Sequence, residues 1–247
     1  KNKSFEKESE VNAFMKLFEY DFNTEPSIWV PGEKLREDIK GATKKNFATL
    51  CKLAYLNYPL AGQKQNVEYV IDKNPVYSLH MPLLQSVFPD AKFIVLVRNY
   101  KDNALSRKKY AYSPRSVFEL GVAWEFYYEK MLADIERYKL NAHFVRYEDL
   151  VSSPEETLRK MCDFLGIAFN VAMLNHKEKA KEMRAHLREN TSGGKFEQVM
   201  EMHANLESDV NTQRVKAYEK ELSPKENAIL DHLCFEMGKR FGYIEGN

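Results

Sequence analysis

"FIVLVRNYKDNALS", residues 93–106, decides how this chain is to be read. Five apolar residues, Phe93 to Val97, run straight into Arg98, and the residues that follow have helical character, with Ser106 eight positions beyond the arginine. A short, continuous apolar run is the pattern of a strand buried on both faces. Where such a strand turns into a helix, the first free backbone N–H groups and the positive end of the helix dipole attract an anion. Arg98 adds a planar fork that matches the oxygens of a phosphate. The alternative partner for its guanidinium is a neighbouring carboxylate such as Asp102.

Outward from this stretch the same alternation repeats. "VEYVIDK" (67–73) reads as a strand that ends at an Asn-Pro turn, "HMPLLQSVF" as a short helix, and "AHFVRYEDL" (142–150) as a third strand leading into a loop. Between the second and third strands the spacing predicts a long helix over about 116–138, with Leu120, Trp124, Tyr127, Met131, Ile135 and Tyr138 as its apolar stripe. Ser153, Pro154 and Glu156 form a capping-box pattern opening a helix that turns Leu158, Met161 and Leu165 inward and stops at Gly166. Ser223, Pro224 and Glu226 repeat the pattern before Ile229, Leu233, Met237 and Phe241, closed by Gly242. Residues 4–22 and 43–57 carry two further helical patterns, with a Pro- and Gly-broken loop, "TEPSIWVPGEK" (24–34), between them. Strands that alternate with helices in this way form a parallel sheet covered on both faces, and ligands of such sheets bind at the carboxyl ends of the strands. Lys73, Arg98 and Tyr147 all fall at those ends.

Composition narrows the function classes. The 247 residues are 44% hydrophobic, enough to bury a substantial core in one α/β domain. Lys+Arg number 37 against 36 for Asp+Glu, so no global charge draws the chain to nucleic acid or to an anionic membrane. Three cysteines, Cys51, Cys162 and Cys234, lie far apart without metal-ligand spacing. The lack of a disulfide framework favours a reducing, cytoplasmic setting, and no apolar run is long enough to span a membrane.

Two more motifs bear on chemistry. In "DKNPVY" (72–77), a lysine at a strand end on a proline-stiffened turn suits an ammonium that neutralises charge developing on a transferring group, with Asp72 as a base or as the lysine's partner. Both residues also read as ordinary turn formers. In "RYEDL" (146–150), Tyr147 suits stacking on a purine or packing in the core, and Glu148 and Asp149 read as the start of a turn. His80 at a helix start and His143 inside a strand read as structural.

In order and spacing, "DKNPVY", "FPDAKFIVLVRNYKDNALS", "VRYEDLVSSPEETLRKMCDFLGI" and "KELSPKENAILDHLCFEMGKRFGY" resemble the sulfotransferases that use 3′-phosphoadenosine 5′-phosphosulfate (PAPS). The resemblance is close over 67–171 and looser over 211–243. It implies a P-loop-NTPase-like, three-layer α/β fold with a central parallel sheet flanked by helices. It also implies transfer of a sulfuryl group from PAPS to a hydroxyl or amine of a small-molecule or carbohydrate acceptor, releasing adenosine 3′,5′-bisphosphate without a metal. Arg98 and Ser106 would grip the 3′-phosphate, Tyr147 would lie near the adenine, and Lys73 would sit at the transferred group. "NTQRVKAY" (211–218) resembles the segment that closes over the cofactor, which brings in Arg214. Pro75 stands where many members have a histidine base, which leaves Asp72, Glu33 of "VPGEK" and His80 as candidates. The family's N-terminal strand and Gly-rich phosphosulfate loop have no counterpart here, so we expect residues before Lys1 and a sheet that lacks an inner strand. A nucleotide kinase or other phosphotransferase on the same architecture, and a non-catalytic nucleotide-binding relative, are the alternatives.

Overall fold

The computed structural model describes residues 33–43, 46–57, 68–108, 115–175, 177, 181 and 210–245. The helix expected over 4–22 and most of the 24–34 loop lie outside them. The chain divides into two compact units, one of residues 1–73 with 176–208, the other of 74–175 with 209–247.

In the first unit, α1 (Glu33–Gly41) and α2 (Phe47–Leu56) pack together through fully buried Leu35, Ile39 and Leu50. Leu35 and Ile39 are one helical turn apart, so the end of the expected loop is a helix from Glu33 onward. Its apolar pair was masked in the sequence by the preceding Pro31-Gly32. The Asn46 side chain caps α2 by accepting from the Thr49 N–H at 2.9 Å, which fixes the start four residues later than periodicity suggested. Residues 68–73, read from sequence as a strand, form no regular structure here, and Ile71 is 85% exposed. An apolar run reports strand propensity, but a strand also needs a partner edge and a covered face.

The second unit is built on two strands, β1 (Phe93–Val97) and β2 (Ala142–Arg146), paired in parallel from Phe93↔Ala142 to Val97↔Arg146. They are direct neighbours, so the inner strand expected to be missing does not lie between them. Before β1 come a 3₁₀ turn (Pro75–Leu79) and α3 (Met81–Val87). Between the strands lie α4 (Tyr100–Lys108) and α5 (Val117–Tyr138). After β2 the chain enters α6 (Tyr147–Ser152), α7 (Pro154–Leu165) and a second 3₁₀ turn (Val171–Leu174). The C-terminal segment forms α8 (Tyr218–Glu221), α9 (Pro224–Leu233) and α10 (Phe235–Arg240).

Successive strand residues face opposite sides. One face, with Phe93, Val95, Val97 and Phe144, packs on an aromatic cluster of Tyr100, Trp124, Tyr128 and Phe241. The other face carries Val145 and His143, whose ring stacks on Phe164 of α7 at 5.2 Å. Leu96 on that face is 49% exposed, so the cover expected on both sides is partial there. The Lys92 ammonium closes the C-terminal end of α7 by donating to the carbonyls of Phe164 (3.0 Å) and Leu165 (2.7 Å). Gly166 ends that helix at φ 76°, a left-handed position that glycine adopts without a Cβ penalty.

The stripe of α5 holds at Leu120, Trp124, Met131 and Ile135 and departs from the expected one at its tyrosines: Tyr128, not Tyr127, is buried, and Tyr138 is exposed. Its start is a complete capping box between Ser116 and Glu119. The box at Ser223–Glu226 also forms, whereas the one expected at Ser153 does not. Glu156 bonds Lys160 one turn on at 2.7 Å instead. The last helix breaks at Cys234 into α9 and α10.

Trp124 is 3% exposed, and its indole N–H donates to the Arg98 carbonyl at 3.1 Å. Trp124→Ala should cost about 3–5 kcal/mol; an unchanged denaturant midpoint would contradict its core role. Glu226 accepts from Lys108 at 2.5 Å and from Ser223, contacts that hold its carboxyl at about 2 against an ordinary 4.5. A depressed folded value means that its stabilisation is present above about pH 4.5 and is lost as the pH falls through about 2. Glu226→Gln should therefore lower stability at neutral pH and leave it unchanged below that window, as acid titrations of the melting temperature would show.

Candidate functional site

The carboxyl end of β1 is fixed from behind by α5. Tyr128 donates its hydroxyl to the Leu96 carbonyl at 2.8 Å and Trp124 its indole N–H to that of Arg98. Burial pushes the Tyr128 phenol up to about 12, so it stays a donor. The chain then turns at Asn99, whose side chain accepts from the Lys101 N–H at 2.9 Å and whose own N–H donates to Glu148 at 2.9 Å. Two amides at this helix start are thus already satisfied, and the anion reading of the junction narrows to the Arg98 side chain.

That side chain lies over the Tyr147 ring, with its guanidinium carbon 4.4 Å from the ring centroid. Its Nη2 donates to the Arg214 carbonyl at 3.0 Å. Its Nε is buried and has no hydrogen-bond partner among the described residues. A buried guanidinium N–H left open is costly and calls for an acceptor. Asp102 is not that acceptor, because its two oxygens take the N–H groups of Lys216 (2.7 Å) and Tyr218 (3.1 Å). Burial raises the Asp102 pKa, while those two backbone bonds and the charge of Arg98 pull it down.

The structure therefore brings Arg98, Tyr147 and Arg214 together. Ser106 lies on α4, roughly 9 Å along the axis from Tyr100, half-buried, and no hydrogen bond among the described residues joins it to Arg98. Tyr147 is the first residue of α6 and not a strand residue, and its ring faces a guanidinium. The Arg214 guanidinium pairs with Glu221 at 3.3 Å. Asp72, Lys73 and Glu33 belong to the other unit, where the Tyr55 hydroxyl donates to Asp72 at 2.6 Å and Lys73 is exposed. His80 is exposed and donates its backbone N–H to the Tyr77 carbonyl. A cavity of about 410 Å³ lies beside β2, lined by His143, Arg146, Asp149, Glu156 and Lys160 among others. None of Arg98, Ser106, Tyr147 or Arg214 lines it.

Sequence reading missed Glu148. It receives the Asn99 N–H on one oxygen and the Tyr243 hydroxyl (2.9 Å) on the other, joining the ends of both strands to the C-terminal segment. Burial and this carboxylate raise the Tyr243 phenol pKa. Arg146 lies over the Tyr243 ring at 4.6 Å, a second arginine–tyrosine stack beside the first. The only local signal was a carboxylate immediately after a strand-end tyrosine. Glu148→Ala should cost about 2–4 kcal/mol, since each of two donors loses its partner. Tyr243→Phe should cost less, and equal denaturation midpoints for Glu148→Ala and the unmodified protein would contradict this joint.

Residues 33–171, more than half of the chain, match the family model described as "Sulfotransferase family". Protein-tyrosine sulfotransferase 1 of Danio rerio is 28% identical over 151 residues, covering 59% of this chain and 42% of that protein. Protein-tyrosine sulfotransferase 2 of Gallus gallus is 25% identical over 152 residues, covering 59% and 41%. The chain spans about half the length of the curated relatives it matches or less. Among solved structures, the sulfotransferase domain of the Synechococcus PCC 7002 olefin synthase superposes with a TM-score of 0.52 at 21% identity, covering 81% of this chain and 70% of that one. It shares the fold, and the α/β class with a parallel sheet flanked by helices stands. The cytoplasmic expectation does not stand: protein-tyrosine sulfotransferases are Golgi membrane enzymes. Three free cysteines show that no disulfide joins them and carry no information on compartment, and among the described residues no helix is long and apolar enough to cross a membrane. On the match over 33–171, the chain belongs to the sulfotransferase family.

Proposed function

We propose that this protein transfers a sulfuryl group from PAPS to an acceptor hydroxyl, and that the acceptor is a tyrosine side chain of a protein. The observation that carries the nucleotide half is the Arg98 Nε, a buried donor without a partner at the carboxyl end of β1. An anionic phosphate is the acceptor that this donor fits. The tyrosine half is supported by the relatives, whose names give protein tyrosine as their acceptor.

PAPS, when bound, supplies the activated sulfuryl group. The chain's own residues do the rest. Arg98, resting over the ring of Tyr147, meets the 3′-phosphate, with Ser106 and Arg214 as the further cofactor-binding residues. Pre-stacking on Tyr147 means that little side-chain freedom is lost on binding. The roles of the remaining residues rest on sequence. The Lys73 ammonium offsets negative charge as the bisphosphate leaves, and Asp72, Glu33 or His80 takes the acceptor proton. The Asp72 carboxylate already accepts a phenolic hydroxyl, that of Tyr55, which makes it the first of these to test. Nothing in this scheme calls on a metal. The nucleotide-kinase alternative has no observation in its favour.

Calorimetry tests the nucleotide half. Adenosine 3′,5′-bisphosphate should bind more tightly than 5′-AMP, and Arg98→Ala should weaken it about tenfold or more. Equal affinity for the two nucleotides would overturn the assignment. For the transfer step, Lys73→Ala should lower turnover on a tyrosine-containing peptide by roughly 10²-fold or more with an unchanged melting temperature. Full activity in that variant would leave Lys73 a turn residue only.

A further inference from the structure

Arg214 reaches the end of β1 from 116 residues further along the chain, through a segment whose hold on the second unit is specific. Asp102, the third residue of α4, is 1% exposed and grips this segment at two points, the N–H groups of Lys216 and Tyr218. Both contacts address backbone, so the grip fixes where the segment runs whatever its side chains are. Lys216, the first of the two, has φ 58°, a left-handed conformation that a non-glycine residue keeps only where its surroundings over-determine it. Two residues before it, the Arg214 carbonyl receives the Arg98 Nη2. A carboxylate suits this place because both its oxygens accept. An amide would present one NH₂ group to one of the two N–H donors.

We propose that Asp102 is a positioning residue: its carboxylate latches the 214–218 backbone beside Arg98 and so sets how tightly the nucleotide's phosphate is held, without touching the nucleotide. The proposal rests on the nucleotide reading of the Arg98 site given above. Without the latch, Lys216 relaxes out of its left-handed conformation, the Arg214 carbonyl leaves Nη2, and both arginines lose their fixed separation.

A double-mutant cycle on adenosine 3′,5′-bisphosphate affinity separates this from a purely structural role. Asp102→Asn should weaken binding about tenfold, and combining it with Arg98→Ala, which removes the side chain that the latched Arg214 carbonyl holds, should cost little beyond the worse single variant. Additive losses, or an Asp102→Asn variant of unchanged affinity, would overturn the proposal. Should that variant not fold, hydrogen exchange on the unmodified protein decides. The amides of Lys216 and Tyr218 must be protected before nucleotide is added, and rapid exchange at either overturns the latch. An unmodified protein that binds no bisphosphate would instead overturn the nucleotide reading, and the affinity role of Asp102 with it, leaving exchange to judge the latch alone.

Discussion

Two side chains of α5 hold carbonyls at and just beyond the end of β1, the Tyr128 hydroxyl on Leu96 and the Trp124 indole on Arg98. A strand end is where the ladder stops satisfying backbone groups, and a buried carbonyl left open there would be costly. Here the same two rings that satisfy the carbonyls also fill the space between the sheet and Phe241. Packing and hydrogen bonding are therefore one feature. Its consequence is directional: with the Arg98 backbone held by α5, its side chain is left to the opposite partner, the ring of Tyr147.

Around this fixed point, buried and half-buried carboxylates do the joining. Glu148 ties the start of α4 to Tyr243, and Asp102 ties α4 to the 216–218 backbone. Both act mainly on N–H and O–H donors, and neither forms a close ion pair with Arg98 among the described residues. This arrangement leaves the arginine charged, oriented and with one donor open. A guanidinium neutralised by its own carboxylate would be a poor anion site. The acidic residues at this junction instead spend their oxygens on the frame.

The parts of this that were legible in the sequence are the local ones. The apolar run, the arginine and the helix after it follow from contiguous residues, as do the capping box at Ser223 and the stop at Gly166. The identical pattern at Ser153 forms no box because its backbone (φ −137°, ψ 62°) departs from the extended conformation of Ser223 (φ −68°, ψ 158°), and Glu156 pairs with Lys160 instead. At 68–73 the run had propensity without the neighbouring edge that makes a strand. Tyr127 and Tyr128 are adjacent and alike, so helical periodicity does not choose between them. Glu148 finds Asn99 and Tyr243 across 49 and 95 residues, and Asp102 finds Lys216 across 114. No spacing rule in the sequence announces pairs at such separations, and a count of cysteines could not report the compartment.

A structure of the protein with adenosine 3′,5′-bisphosphate is the most direct test of the claim that the open Arg98 donor is the nucleotide's anchor. The account predicts a phosphate oxygen within hydrogen-bonding distance of the Arg98 Nε, with the guanidinium still resting on Tyr147. A bisphosphate seated elsewhere, with that Nε still without a partner or with Arg98 turned away from Tyr147, would contradict it.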